Sequence, residues 1–218
     1  MDMQAVVSFV VIGFVGLLGI LMSEYLRRRQ VLRNEEARKA VHLLHALGIA
    51  LWAYFLPNYW PIIVVECVAL AIVLIEKHFD VLPGMRAVER LSYGEVLFMV
   101  GVIILALLDP TYPHFVIVML HLGIADAIAA VVGKRLKSPT YTVQGHLKSI
   151  AGSSACYAAS LMIFMVYLWY SAQLTTGNIV IVAVAAGMIT LVENTSLFGS
   201  DNLTMPLTAY ILVLLANI

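Results

Sequence analysis

The chain predicts an all-α, polytopic integral membrane protein of about eight transmembrane helices, with its N-terminus outside and its motif-bearing face cytoplasmic. Three observations lead there. Of 218 residues, 62% are hydrophobic and only 12% charged, with a mean hydropathy of +0.95, which excludes an ordinary soluble domain. Apolar runs recur at roughly 5–22, 41–56, 61–75, 95–108, 114–133, 150–170, 179–193 and 204–217, each near or slightly short of the ~20 residues needed to cross a bilayer. Threading them from an outside N-terminus puts 23–40, 76–94, 134–149 and 194–203 on one face. All 13 Lys and Arg residues fall in the first three of these segments, a strong form of the positive-inside rule.

Each element has a local reason. The run 5–22 follows Asp2 and precedes Arg27, Arg28 and Arg29, the reverse of a secretory signal, so it reads as an uncleaved anchor helix. Pro57, Pro61, Pro110, Pro113 and the turn at 175–178 fall at connections, where a missing backbone donor does little harm. With no internal repeat or linker, residues 1–218 read as one membrane domain with its core at 38–210. Cys67 and Cys156 lie in apolar runs and read as buried thiols, and Trp52, Tyr54, Tyr59 and Trp60 read as an interfacial aromatic belt. The formal net charge is zero, and no nucleic-acid partner is expected. The membrane is a prokaryotic plasma membrane or that of the endoplasmic reticulum or another organelle.

The chemistry concentrates in residues 121–153. Asp126 stands in an apolar run about two helical turns, or ~10 Å, before Lys134. A carboxylate there costs ~2.5–3.5 kcal/mol unless it faces a cavity, a cation or a metal. Lys134, Arg135 and Lys148 follow among Gly, Ser and Thr, and Ser149 and Gly152 open the next helix, where free amides favour an anion. Arg38, His42 and His45 share a helical face at i, i+4 and i+7 beside Lys39; His42 could serve as a base or hold a phosphate, and His45 reads as a core histidine. Arg90, Ser92 and Glu95 open the fourth run, and Glu193, Asp201 and Asn202 join the last two. An oxygen-rich set suits Mg²⁺ better than zinc. Glu66, alone in the third run, either lines a lipid cavity or pairs with another polar side chain. No Walker A loop, GxGxxG turn, HExxH helix or GxSxG elbow occurs, so a nucleotide site here is not a P-loop.

In combination, Arg38-Lys39-x-x-His42, Arg90-x-Ser92-Tyr93-Gly94-Glu95, Asp126-Ala127-x-Ala129 with Gly133-Lys134-Arg135, Lys148-Ser149-x-x-Gly152-Ser153, and Glu193 with Asp201-Asn202-x-x-x-Pro206 resemble the polyprenol kinase family. This is the group of dolichol kinases, phytol kinases and the CTP-dependent diacylglycerol kinase of fungi. The resemblance implies transfer of the γ-phosphoryl group of CTP, with Mg²⁺, to the hydroxyl of an isoprenoid alcohol in the bilayer. It implies metal binding at Asp126, Asp201 and Glu193, phosphate contacts from Arg38, Lys39, Lys134, Arg135, Lys148, Ser149, Gly152 and Asn202, and a base in His42 or Asp126. CTP, the alcohol and membrane lipid are the expected partners, with self-association left open. Two alternatives stand beside it: a cytidylyltransferase acting on phosphatidate or a related lipid phosphate, whose Lys-Thr pair would read here as Lys148-Ser149, and a non-catalytic lipid carrier.

Overall fold

The computed structural model describes residues 3–79 and 93–218. Helices α1 (Met3–Arg28), α2 (Asn34–Ala53), α3 (Trp60–Phe79) and α4 (Gly94–Leu107) precede a composite rod of α5 (Tyr112–Leu120), a π turn (His121–Ala125) and α6 (Asp126–Arg135). Then come α7 (Ile150–Tyr170), α8 (Thr176–Thr195) and α9 (Asp201–Ala216). Among the described residues, four segments are long and apolar enough to cross a membrane: Val6–Arg28, Tyr112–Arg135, Ile150–Tyr170 and Thr176–Thr195. Trp60–Ile75, α4 and α9 are shorter apolar helices. The apolar window of the composite rod is 61% buried and that of α1 only 6%, so the rod is the axis of the bundle and α1 its periphery. Phe98, Phe115, Leu122, Phe164 and Met205 fill the space around that axis.

The all-α expectation needs one correction. Thr140–Val143 (β1) and His146–Ser149 (β2) form an antiparallel hairpin, Thr140 opposite Ser149 and Val143 opposite His146. Thr-Tyr-Thr-Val is a β-branched and aromatic run, and Gln144 (φ 49°) and Gly145 (φ 81°) supply the two left-handed residues that a tight hairpin turn requires. The aromatic belt is corrected too. Trp52 is buried against Phe9, and Tyr59 is buried on Phe115 with its hydroxyl donating to the Pro110 carbonyl at 3.0 Å. Only Tyr54 and Trp60 of the four are exposed. Cys67 is exposed and Cys156 buried.

Two glycine contacts set the spacing of the rods around the polar end. Pro206 lacks the N–H that would bond the Asn202 carbonyl one turn earlier in α9. Gly101 of α4 lies against that carbonyl, where a Cβ would come within 2.8 Å of the oxygen. At the α6–α7 crossing, a Cβ on Gly152 would lie 3.1 Å from both the Ala129 carbonyl oxygen and the Gly133 Cα. Both approaches need a residue without a side chain.

Gly101→Ala is therefore expected to destabilise the bundle by about 1–3 kcal/mol, the usual cost of overpacking. Gly16→Ala on α1, with nothing within 4 Å, is expected to be neutral or stabilising. Thermal unfolding of the two variants in the same detergent checks the opposite signs.

Candidate active site

The polar ends of α2, α6, α7, α8 and α9, with the hairpin, enclose a cavity of about 660 Å³. Its floor is ionic. Lys39 (4% exposed) reaches from α2 to bond Asp126 (3% exposed), and its Nζ lies 3.7 Å from Oδ2 of Asp201 at the start of α9. One ammonium thus neutralises a deeply buried carboxylate and faces a second. On the hairpin side, Lys148 Nζ donates to Glu193 Oε1 at 2.7 Å and to the Glu193 carbonyl at 2.9 Å. A polar chain closes the wall between them. Tyr141 and Ser153 share a 2.5 Å hydroxyl contact, and Ser153 Oγ donates to Asn194 Oδ1 at 2.8 Å.

Local structure explains how these side chains are aimed. A π turn carries one residue more than an α turn, and each residue of a helix turns it by about 100°. The bulge at His121–Ala125 therefore resets the direction of Asp126 just where α6 begins. Within it, Gly123 lets α2 approach so closely that a Cβ would lie 2.9 Å from that of Ala46. Beyond Asp126, Arg135 grips Glu36 of α2 with two bonds, at 2.7 and 3.1 Å. That guanidinium, then the Arg33 backbone N–H, holds the Glu36 carboxyl down at about 2. The tie between α2 and α6 persists as pH falls below the ordinary 4.5 and is lost only as pH approaches 2.

The expected site residues divide by position. Arg38, Lys39, Asp126, Lys134 and Lys148 line the cavity, as do Ser149, Gly152, Glu193 and Asp201. Ser149 also has a structural task, since its Oγ accepts from Gly152 N–H at the start of α7 and donates to the Gly133 carbonyl. His42, Arg135, Asn202 and Glu95 lie elsewhere. His42 is buried against Phe98, its Nδ1 without a hydrogen-bond partner among the described residues. Asn202 is buried between α9 and α4, where its amide donates to the Gly94 carbonyl at 3.0 Å. Glu95 stands half-buried in the first turn of α4. Arg90 and Ser92 lie outside the described residues.

Glu66 pairs with His45, whose Nε2 lies 2.7 Å from its Oε1, while its buried Oε2 has no hydrogen-bond partner among the described residues. Sequence reasoning missed the contributions of Tyr141, His146 and Phe198 to this end of the molecule. The alternation Thr-Tyr-Thr-Val before Gln-Gly was the available signal for the first two.

The donor set suits a hard divalent cation in one respect. Among the described residues no three His, Cys, Asp or Glu groups converge on a point. Mg²⁺, however, is usually held by one or two carboxylates together with substrate phosphates, and Asp126 and Asp201 both face Lys39 in one cavity.

Among curated proteins, the chain is similar to the phytol kinase of Synechocystis sp., at 30% identity over 196 residues covering 86% of this chain and 82% of that protein. The chain belongs to the polyprenol kinase family. No family model matches it, and no solved structure does. Residues from four of the motifs that carry the family resemblance, scattered from Arg38 to Asp201, meet at this one cavity; Tyr93, Gly94 and Glu95 of the remaining motif do not line it.

The buried pair makes a direct prediction. Lys39→Met strands Asp126 without its countercharge and is expected to cost about 3–5 kcal/mol, whereas Lys39→Met with Asp126→Asn recovers most of the loss. A double-mutant cycle on thermal unfolding in detergent measures this coupling.

Proposed function

We propose that this chain is a CTP- and Mg²⁺-dependent kinase that phosphorylates the hydroxyl of an isoprenoid alcohol, of the phytol or polyprenol class, within the bilayer. The observation that carries the reading is the cavity itself. Cations from α2, α6 and β2 face carboxylates from α6, α8 and α9 at the polar end of a strongly apolar bundle. Such a position serves a water-soluble phosphate donor and a lipid acceptor together. The name of the similar protein, a phytol kinase, points the same way.

Phosphoryl transfer asks the protein for positioning and charge neutralisation more than for covalent chemistry. In the proposed reaction the alcohol oxygen bonds to the γ-phosphorus, the bond to the β-phosphate oxygen breaks, and CDP leaves. Asp126 and Asp201 are the carboxylates we assign to the metal, which would screen phosphate charge and polarise the transferred group. Lys148, Lys134, Arg38 and Lys39 are assigned to phosphate oxygens. Of the two candidate bases, Asp126 lines the cavity and His42 does not, which favours Asp126 as the acceptor of the hydroxyl proton. The active face is assigned to the cytoplasm on the clustering of Lys and Arg.

Purified protein in detergent, given Mg²⁺ and CTP labelled at the γ-phosphate with a panel of prenols, is expected to place label in a lipid monophosphate and to release CDP. Asp126→Ala is expected to lower that rate at least about 100-fold. Pyrophosphate released in the presence of phosphatidate, with no labelled lipid, would instead identify a cytidylyltransferase. No turnover with any acceptor would remove the enzymatic reading.

A further inference from the structure

The ionic floor answers the phosphates of a nucleotide but not its base. The cavity also has an aromatic border. His146 of β2 and Phe198 of the α8–α9 loop both line it, and their rings meet edge to face with centroids 5.9 Å apart and planes at 87°. Phe198 is 57% exposed although it borders a polar cavity. Its backbone sits at φ 54°, a left-handed conformation that bulky residues rarely adopt, with Gly199 following at φ 88°. The Tyr93 N–H, from the start of α4, donates to the Phe198 carbonyl at 2.9 Å. An exposed ring on a disfavoured backbone, tied by a separate helix, is the kind of strain that persists where a function uses it.

The strand beside it sets the distance to the charges. Side chains two residues apart on a strand share a face and stand about 7 Å apart along it. His146 and Lys148 therefore project together, while Leu147 between them is 73% exposed. Lys148 is paired with Glu193, and Phe198 stands in the loop between the cavity-lining Glu193 and Asp201 against His146, so the ring pair is offset from Lys148 by the spacing along β2. That offset matches a nucleotide lying along β2, with phosphates at Lys148, ribose between and base at the rings.

We infer that His146 and Phe198 form a nucleobase platform at the aromatic border of this cavity. It takes the planar base of a nucleoside triphosphate by ring contact, and distinguishes a nucleotide from an inorganic polyphosphate. This rests on the kinase reading above and gives its donor a binding determinant that the charged residues do not supply.

Equilibrium binding of CTP and of inorganic tripolyphosphate, each with Mg²⁺, to the full chain in detergent tests it. Wild-type protein is expected to bind CTP the more tightly. Phe198→Leu and His146→Leu should each weaken CTP about 10-fold and leave tripolyphosphate within about 2-fold, and Phe198→Trp should restore CTP. If Phe198→Leu is not monodisperse, His146→Leu and Phe198→Trp still carry the comparison. Equal loss of both ligands, no loss of either, or equal wild-type affinities overturns the platform, and persisting lipid phosphorylation then leaves the kinase reading intact. Wild-type protein that binds neither ligand overturns both.

Discussion

A carboxylate held among helices must be neutralised where it stands, and for Asp126 this is done by Lys39, 87 residues earlier in the chain. Such a bond tolerates little error in the height or rotation of either helix. The chain supplies constraints on both sides of it. Nearer the polar end, Arg135 and Glu36 clasp α6 to α2, and deeper in, Gly123 admits Ala46. Between these contacts the π turn directs Asp126. Each contact is modest or even costly alone; in series along two antiparallel helices they specify one register.

A second frame holds the opposite wall. Pro206 frees a carbonyl of α9, Gly101 lets α4 come against it, and Asn202 and Phe198 accept or donate bonds with the first residues of α4. Asp201 thereby arrives opposite Lys39 from a helix that begins 162 residues later. The hairpin completes the enclosure, tied through Tyr141 and Ser153 to Asn194 of α8. The cavity is thus bounded by helix ends, the hairpin and the α8–α9 loop, the last tied to the start of α4 through Phe198.

This division explains what could be read from the sequence. Long apolar runs bounded by charge announce helices, and an intramembrane Asp with basic neighbours announces a site, because both reflect the cost of charge in hydrocarbon. The partner of Asp126 was not legible, since Lys39 looks like any other cation near a helix start until α2 and α6 are packed. Arg135 was expected at phosphate on type and position as well as from the family resemblance, and Asn202 from the resemblance; the packing turns Arg135 to Glu36 and Asn202 to Gly94. The hairpin was hidden because four-residue strands carry little periodic signal beside runs of 20 apolar residues. Glu66 found His45 only through the tertiary contact of α2 and α3.

The charges that meet at the cavity also bear on the proposed chemistry. Arg38, Lys39, Lys134 and Lys148 line it, against Asp126, Glu193 and Asp201. Four cations facing three carboxylates leave a small positive excess, far less than the charge of a nucleoside triphosphate. A polyanion entering such a site is underbalanced by the side chains alone, and two of the lysines are already committed to acidic partners. Under the function proposed above, a divalent cation accompanying the phosphates would supply the missing positive charge and would be held by Asp126 and Asp201. On the proposed reading, the near-neutral cavity is thus the physical reason for a metal: fewer carboxylates would leave the metal unheld, and more cations would make it unnecessary.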